Sequence, residues 1–285
     1  MRALIFMSLL ALQGLAMAQT LLLKDDTGRE HRLARPAERV VSLLPSLTES
    51  VHALGATARL VGVDRYSNWP EAIAKLPRLG GLDDVQIETI AALKPDVVLA
   101  STSARSLDRL EALGFTVLRL KSESHADVQR TLVLLARLIG QPERADPLWA
   151  RLQQQLDAAA ARVPARLRGQ SVYFEIGGGP YAAGAQSFIG QTLARLGLPN
   201  AVPASLGPFP KLNPEFIVQA RPGIVMGAEK EQAGLKNRPG WASIPALQRG
   251  RLCAFATPQY EILIRPGPRM GEAAELIADC LERLP

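Results

Sequence analysis

The sequence predicts an α/β protein: two doubly wound parallel-sheet lobes joined by a long rigid helix. Three observations carry that expectation. Short apolar strands alternate with helical segments over residues 39–122, and again over 169–285. That order implies parallel pairing with helices on both faces of a sheet. Between the two stretches, residues 123–168 show helical periodicity and no strand signal. Finally, one segment is written twice. The first copy is Glu88-Thr89-Ile90-Ala91-Ala92-Leu93-Lys94-Pro95-Asp96-Val97-Val98. The second is Glu215-Phe216-Ile217-Val218-Gln219-Ala220-Arg221-Pro222-Gly223-Ile224-Val225. In each, a glutamate stands seven residues before a proline, with a basic residue just ahead of that proline and an apolar strand after it. The expected division is a targeting segment at 1–18, a first lobe at 19–122, a helical connector at 123–168 and a second lobe at 169–285.

The elements follow in order. Arg2 and the apolar run 3–12 precede Ala16-Met17-Ala18, a small-x-small pattern. This reads as a secretory signal cleaved after Ala18, since the run is too short to span a bilayer comfortably. No cysteine follows that point, so no lipid anchor is expected there, and the mature protein is expected in the periplasm. Residues 39–43 form a first strand. Ser46 opens a helix that Gly55 closes, and residues 60–63 form a second strand. A helix over 86–94 carries Ile87, Ile90, Ala91 and Leu93 on its inner side, and the strand 97–100 follows the Pro95-Asp96 turn. Residues 107–113 are a helix stopped by Gly114, and 115–120 a strand. In the connector, Leu132, Leu135, Leu138 and Ile139 make one apolar stripe, ended by Gly140-Gln141-Pro142. Leu148, Trp149, Leu152 and Leu156 make another, with Asp146 as cap and Pro147 in the first turn. From 146 to 162 that helix would be about 25 Å long. In the second lobe, strands are expected at 171–176, 224–226 and 252–255, and helices at 188–196, 214–221 and 269–284.

Composition narrows the function. The net charge is +6, and Arg2 is the only charge in the targeting segment. Lysine and arginine are scattered rather than clustered, which argues against a nucleic-acid partner. There is no Gly-x-Ser-x-Gly elbow, Walker loop or dinucleotide fingerprint. His31, His52 and His125 are far apart, so neither a catalytic centre nor a metal site is indicated. An exported α/β enzyme remains the alternative of another class, and turnover without a partner would reveal it. In an oxidising compartment Cys253 and Cys280 allow a single intramolecular disulfide, and two buried thiols are the alternative.

Aromatics make up only 5% of the chain, so their positions carry weight. Tyr66 and Trp69 follow the second strand. Tyr181 follows the Gly177-Gly178-Gly179-Pro180 run, Phe209 lies in Gly207-Pro208-Phe209-Pro210, and Trp241 in a Pro-Gly-rich loop. Tyr260 follows the last strand. Loops at the carboxyl ends of parallel strands line the ligand crevice, so Tyr66, Trp69, Tyr181, Trp241 and Tyr260 are candidate ligand-facing rings; otherwise they cover loop cores. Glu261 and Arg265 flank the apolar trio 262–264. Arg265 either forks to a ligand carboxylate or amide, or pairs with Glu261. Glu49 faces either the crevice or solvent. Glu88 and Glu215 open equivalent helices outside the apolar stripe. The helix dipole favours a carboxylate there, but matching positions in two lobes point further, to pairing with arginines on a partner.

The chain resembles the periplasmic substrate-binding proteins of ABC importers with a helical backbone, the group that handles cobalamin, haem and ferric siderophores. The likeness rests on Arg39-Val40-Val41-Ser42-Leu43-Leu44-Pro45-Ser46-Leu47-Thr48-Glu49, on Val61-Gly62-Val63-Asp64-Arg65-Tyr66-Ser67-Asn68-Trp69-Pro70, and on the Leu93-Lys94-Pro95-Asp96 turn. Within the group it is most similar to the members that bind vitamin B12, through Tyr66 in its Gly-Val-x-x-Tyr-Ser setting and through Arg265. Leu79-Gly80-Gly81-Leu82 stands where those members carry a tryptophan. The resemblance implies a receptor, not an enzyme, acting as a monomer without a cofactor of its own. It would carry a corrinoid between its lobes, with haem or a ferric siderophore as the alternative. Tyr66, Tyr260 and the Glu261–Arg265 segment would touch ligand. Glu88 and Glu215 would engage the membrane permease, which works with its ATPase.

Overall fold

Val40, Val97 and Leu99 pack on one side of the first sheet and Val41, Val98 and Ala100 on the other. This two-sided burial is what unbroken apolar strands predict for a parallel sheet covered on both faces. A computed structural model describes residues 20–104 and 107–285; the expected targeting segment lies outside the described residues. The first lobe opens with an antiparallel hairpin, β1 (Leu21–Lys24) and β2 (Glu30–Leu33), which the sequence had not announced. Its turn is held by the Asp25 carboxylate, which accepts the Thr27 and Arg29 amides at 2.9 and 3.1 Å. Then come β3 (Val40–Ser42), α1 (Pro45–Ala53), β4 (Leu60–Val63), α2 (Ile87–Ala92), β5 (Val97–Ser101), α3 (Asp108–Ala112) and β6 (Val117–Leu120). The strands lie in the order β4-β3-β5-β6, all parallel.

Two long helices follow. α4 (His125–Leu138) begins with a capping box between Ser124 and Asp127. α5 (Ala145–Arg162) starts one residue earlier than expected. Asp146 and Pro147 therefore sit in its first turn, and Arg144, at the cap position, makes no side-chain cap bond. At 18 residues it is about 27 Å long. α4 buries Val128, Leu132 and Leu135 in the core of the first lobe. α5 is shared: Leu148 and Leu152 pack into the first core, Leu156 and Ala159 into the second.

The second lobe contains β7 (Val172–Ile176), β8 (Tyr181–Ala182), α6 (Phe188–Arg195), α7 (Pro214–Ala220), β9 (Ile224–Ala228), α8 (Glu229–Gln232), α9 (Pro245–Gln248), β10 (Leu252–Phe255), α10 (Thr257–Leu263) and α11 (Met270–Arg283). Its order is β10-β9-β7-β8. The first three strands are parallel, and β8 folds back antiparallel on the end of β7. On that same flank Val172 makes a parallel bridge to Asn200, where the first lobe places β4 beside β3. α10 is a correction. Residues 257–263 read as loop from the sequence, yet Pro258 near the helix start supplies a preset φ, and Tyr260, Ile262 and Leu263 are buried.

α11 lies along α5. Its first residue, Met270, belongs to the first lobe's core, and Ala273, Ile277 and Leu281 belong to the second. Gly271 makes the close approach possible: a Cβ there would stand 2.6 Å from that of Gln155. The lobes thus share a spine of two helices. Cys253 on β10 and Cys280 near the end of α11 are disulfide-bonded, with Cα atoms 5.8 Å apart.

The doubled segment repeats down to its backbone. Lys94 and Arg221, which end α2 and α7, adopt left-handed φ values of 46° and 48°; no other non-glycine among the described residues has positive φ. In the first copy Arg39 secures the turn by donating to the carbonyls of Leu93 and Lys94, at 2.6 Å from Nη2 and 3.2 Å from Nε. A side chain in this conformation costs about 1–2 kcal/mol, partly offset by the backbone entropy that glycine would lose. Lys94→Gly and Arg221→Gly are therefore expected to be neutral or stabilising by up to ~1 kcal/mol, while Lys94→Val destabilises. Denaturant midpoints would check this, and a clear loss on Lys94→Gly would refute the assignment of strain.

Candidate functional site: the interlobe cleft

Between the lobes lies a cleft of about 410 Å³. Its first wall is Leu44, Pro45 and Ser46, from the turn between β3 and α1, with Tyr66 from the segment after β4. Its second wall is Phe188 at the start of α6, Phe209, and Glu261, Ile264, Arg265 and Pro266 at the end of α10 and beyond. Ser122, just after β6, joins them. The first-lobe residues all follow carboxyl ends of parallel strands, the expected place for a ligand in such sheets. The Phe188 and Phe209 rings lie 5.9 Å apart between centroids. Tyr66 is 59% exposed, a large ring left open to the cleft. Its ring rests against Gly81, where a Cβ would stand 3.2 Å from Cε2. Its backbone is anchored by Asp64, which accepts the Tyr66 amide at 2.9 Å and the Ser67 hydroxyl. Burial pushes the Asp64 carboxyl above its ordinary pKa.

The base of the cleft is charged. Arg265 reaches from the second lobe into the first. Its Nη1 donates to Glu49 Oε1 at 2.9 Å and to Asn68 Oδ1 at 2.8 Å. Its Nη2 donates to the Tyr66 carbonyl and to Glu261 Oε2, both at 3.1 Å. Asn68 Nδ2 returns to Glu261 at 2.7 Å. Glu49 is wholly buried, and that burial pushes its carboxyl above the ordinary range despite the Arg265 pair.

The other candidate residues fall elsewhere. Tyr260 is 8% exposed and does not line the cleft. Its hydroxyl accepts from the Gly177 amide at 3.0 Å and donates to the Glu175 carbonyl at 3.3 Å, tying α10 to the glycine run. Its ring stacks on Phe174 at 6.2 Å. Trp69 packs edge-on to His52 and under the Arg269 guanidinium, 4.8 Å from each. Trp241 is buried in the second lobe against Tyr173 and under Arg238. It lines a separate cavity of about 300 Å³ that also holds the Glu175–Arg238 pair. Tyr181 is exposed on β8, outside the cleft lining. Glu88 and Glu215 are exposed in the first turns of α2 and α7. Arg109 stands 3.4 Å from Glu88. Phe188, Asn68 and the role of Glu49 were not legible in advance. Phe188 reads as the first core residue of a helix and is buried as one; that it also borders the cleft depends on the facing lobe. Among the described residues no cluster of histidine, cysteine, aspartate or glutamate is placed to hold a metal ion.

Residues 40–256 match the model of the periplasmic binding protein family. The chain belongs to that family. This makes it the solute-binding component of an ABC-type importer, a carrier of transported ligands and not an enzyme, with a permease and an ATPase as its partners. The binding protein is 26% identical over 268 residues to an uncharacterized ABC transporter substrate-binding lipoprotein of Bacillus subtilis (strain 168), covering 90% of this chain and 84% of that one. It is 30% identical over 198 residues to the vitamin B12-binding protein of Yersinia pestis (strain Pestoides F), covering 68% and 70%. Among solved structures, the periplasmic haem-binding protein of Roseiflexus sp. RS-1 in its apo form superposes with a TM-score of 0.72 at 28% identity. That match covers 86% of this chain and 98% of the other. No helix among the described residues is long and apolar enough to cross a membrane.

Proposed function

We propose that this binding protein works in the periplasm, captures a corrinoid in the interlobe cleft and delivers it to the permease through Glu88 and Glu215. The observation that carries the ligand half is the cleft itself. An exposed tyrosine and two phenylalanines line it together, a setting suited to a flat, partly apolar ligand. The 30% identity to a vitamin B12-binding protein supports the corrinoid over other flat ligands. Haem is the second reading, favoured by the likeness to a haem-binding structure and by the open Tyr66 phenol, an oxygen that iron could accept as a ligand. The disulfide fits an oxidising compartment.

Calorimetry with cyanocobalamin, cobinamide, haemin and a ferric siderophore tests the assignment. Corrinoid binding is expected, and none at high micromolar concentration would sink it; a Soret shift with haemin alone would install the second reading. Tyr66→Ala should weaken binding of the true ligand about tenfold, near 1.4 kcal/mol. Trp241→Phe, outside the cleft lining, should leave affinity unchanged.

A further inference from the structure

The charged base of the cleft joins residues far apart in the chain: Glu49 and Arg265 are separated by 216 positions. All four Nη hydrogens of Arg265 have acceptors, three in the first lobe and one, Glu261, in its own. Arg269, also from the second lobe, stands 4.0 Å from the same Glu49 oxygen. The lobes meet closely beside this network. A Cβ on Gly267 would lie 3.3 Å from the Ser46 carbonyl, so the backbones there approach without a side chain between them. An ion pair buried this deeply adds little net stability, because desolvation consumes most of the attraction. What such a pair can supply is a defined geometry between the two surfaces it joins.

We propose that Glu49 is a positioning residue which, through Arg265, clamps the two lobes at the base of the cleft and so sets its width. Arg265 is then committed to the clamp and not to the ligand. The slot is held open to a fixed gauge before any ligand arrives, and Tyr66, Phe188 and Phe209 receive a flat molecule without a wide closing motion. Asn68 and Glu261 complete the clamp at the cleft edge, each bonded to Arg265 and to the other. The effect on affinity rests on the cleft being the ligand site; the effect on lobe geometry does not.

The test measures distances between spin labels on Leu113→Cys and Leu206→Cys, exposed positions on opposite lobes. The native disulfide stays intact throughout. The parent should give one narrow distribution. Glu49→Gln and Arg265→Gln should each widen it about twofold, and the double variant should widen it no further, because both act through one contact. If one variant fails to unfold cooperatively, the other decides. Cyanocobalamin or haemin, whichever the parent binds, should dissociate about tenfold faster from either variant. Unchanged distributions in the folded variants would overturn the clamp whatever the ligand. Widened distributions in a protein whose parent binds neither probe would uphold the clamp and sink the ligand assignment.

Discussion

Replacing Glu88 and Glu215 together by alanine is expected to abolish ligand uptake through the reconstituted importer and to leave ligand affinity unchanged. The expectation follows from where the structure puts the two side chains. Each is exposed in the first turn of a helix, and each helix is followed by a basic residue in the left-handed conformation directly before a proline. The carboxylates are therefore equivalent points on the two lobes, which a partner with two similar arginine-bearing surfaces could grip at once. Neither is needed by the fold. The Glu88–Arg109 contact is 3.4 Å, with both side chains more than half exposed, and an exposed pair of this kind contributes about 0–1 kcal/mol. It can open in favour of a partner at little cost. Each single variant should lose only part of the transport rate. A fall in ligand affinity in the double variant would show that these residues have been misassigned.

Removing the Cys253–Cys280 bridge is the change expected to cost most stability. The bond ties β10 to the far end of α11 across a separation of 27 residues. Closing a loop of that length in the unfolded chain is worth about 3–4 kcal/mol. Both residues also lie within the second lobe's core. Cys253→Ala with Cys280→Ala avoids leaving a buried free thiol, and its denaturation midpoint against the parent reads the difference. A loss below about 1 kcal/mol would show that the bridge constrains nothing the core does not already hold. Because α11 also seats Met270 in the first lobe, the same variant reports whether the spine depends on the bridge.

Much of the architecture was legible because its signals are local. Unbroken apolar strands after a proline turn, helices closed by glycine and a segment repeated with its proline all act over a few residues. The elements that escaped are those with weak local signals. β8 is two residues long, too short for any periodicity. α10 hides its turn behind Thr257-Pro258, and the β1–β2 hairpin behind the charged turn at 25–29. Site residues divided along the same line. Tyr66 could be placed because it closely follows a strand end. Tyr260 also follows a strand, yet it turns inward, because its hydroxyl finds the Gly177 amide and the Glu175 carbonyl while its ring finds Phe174. Trp241 likewise meets Tyr173 and Arg238 rather than the cleft.

The sequence by itself determined that there are two lobes of one design, that each carries an exposed glutamate at a helix start, and that Cys253 and Cys280 had only each other as a partner. Repetition, helix-capping chemistry and a count of two are properties of the chain alone. Only the tertiary structure decided what Arg265 does. Its alternatives, a ligand or Glu261, were both stated from its immediate surroundings; the structure shows the Glu261 pair and adds Glu49, in the other lobe and buried with it. Burial and long-range pairing depend on which surfaces meet. A side chain that serves the contact between two lobes has no local pattern to announce it.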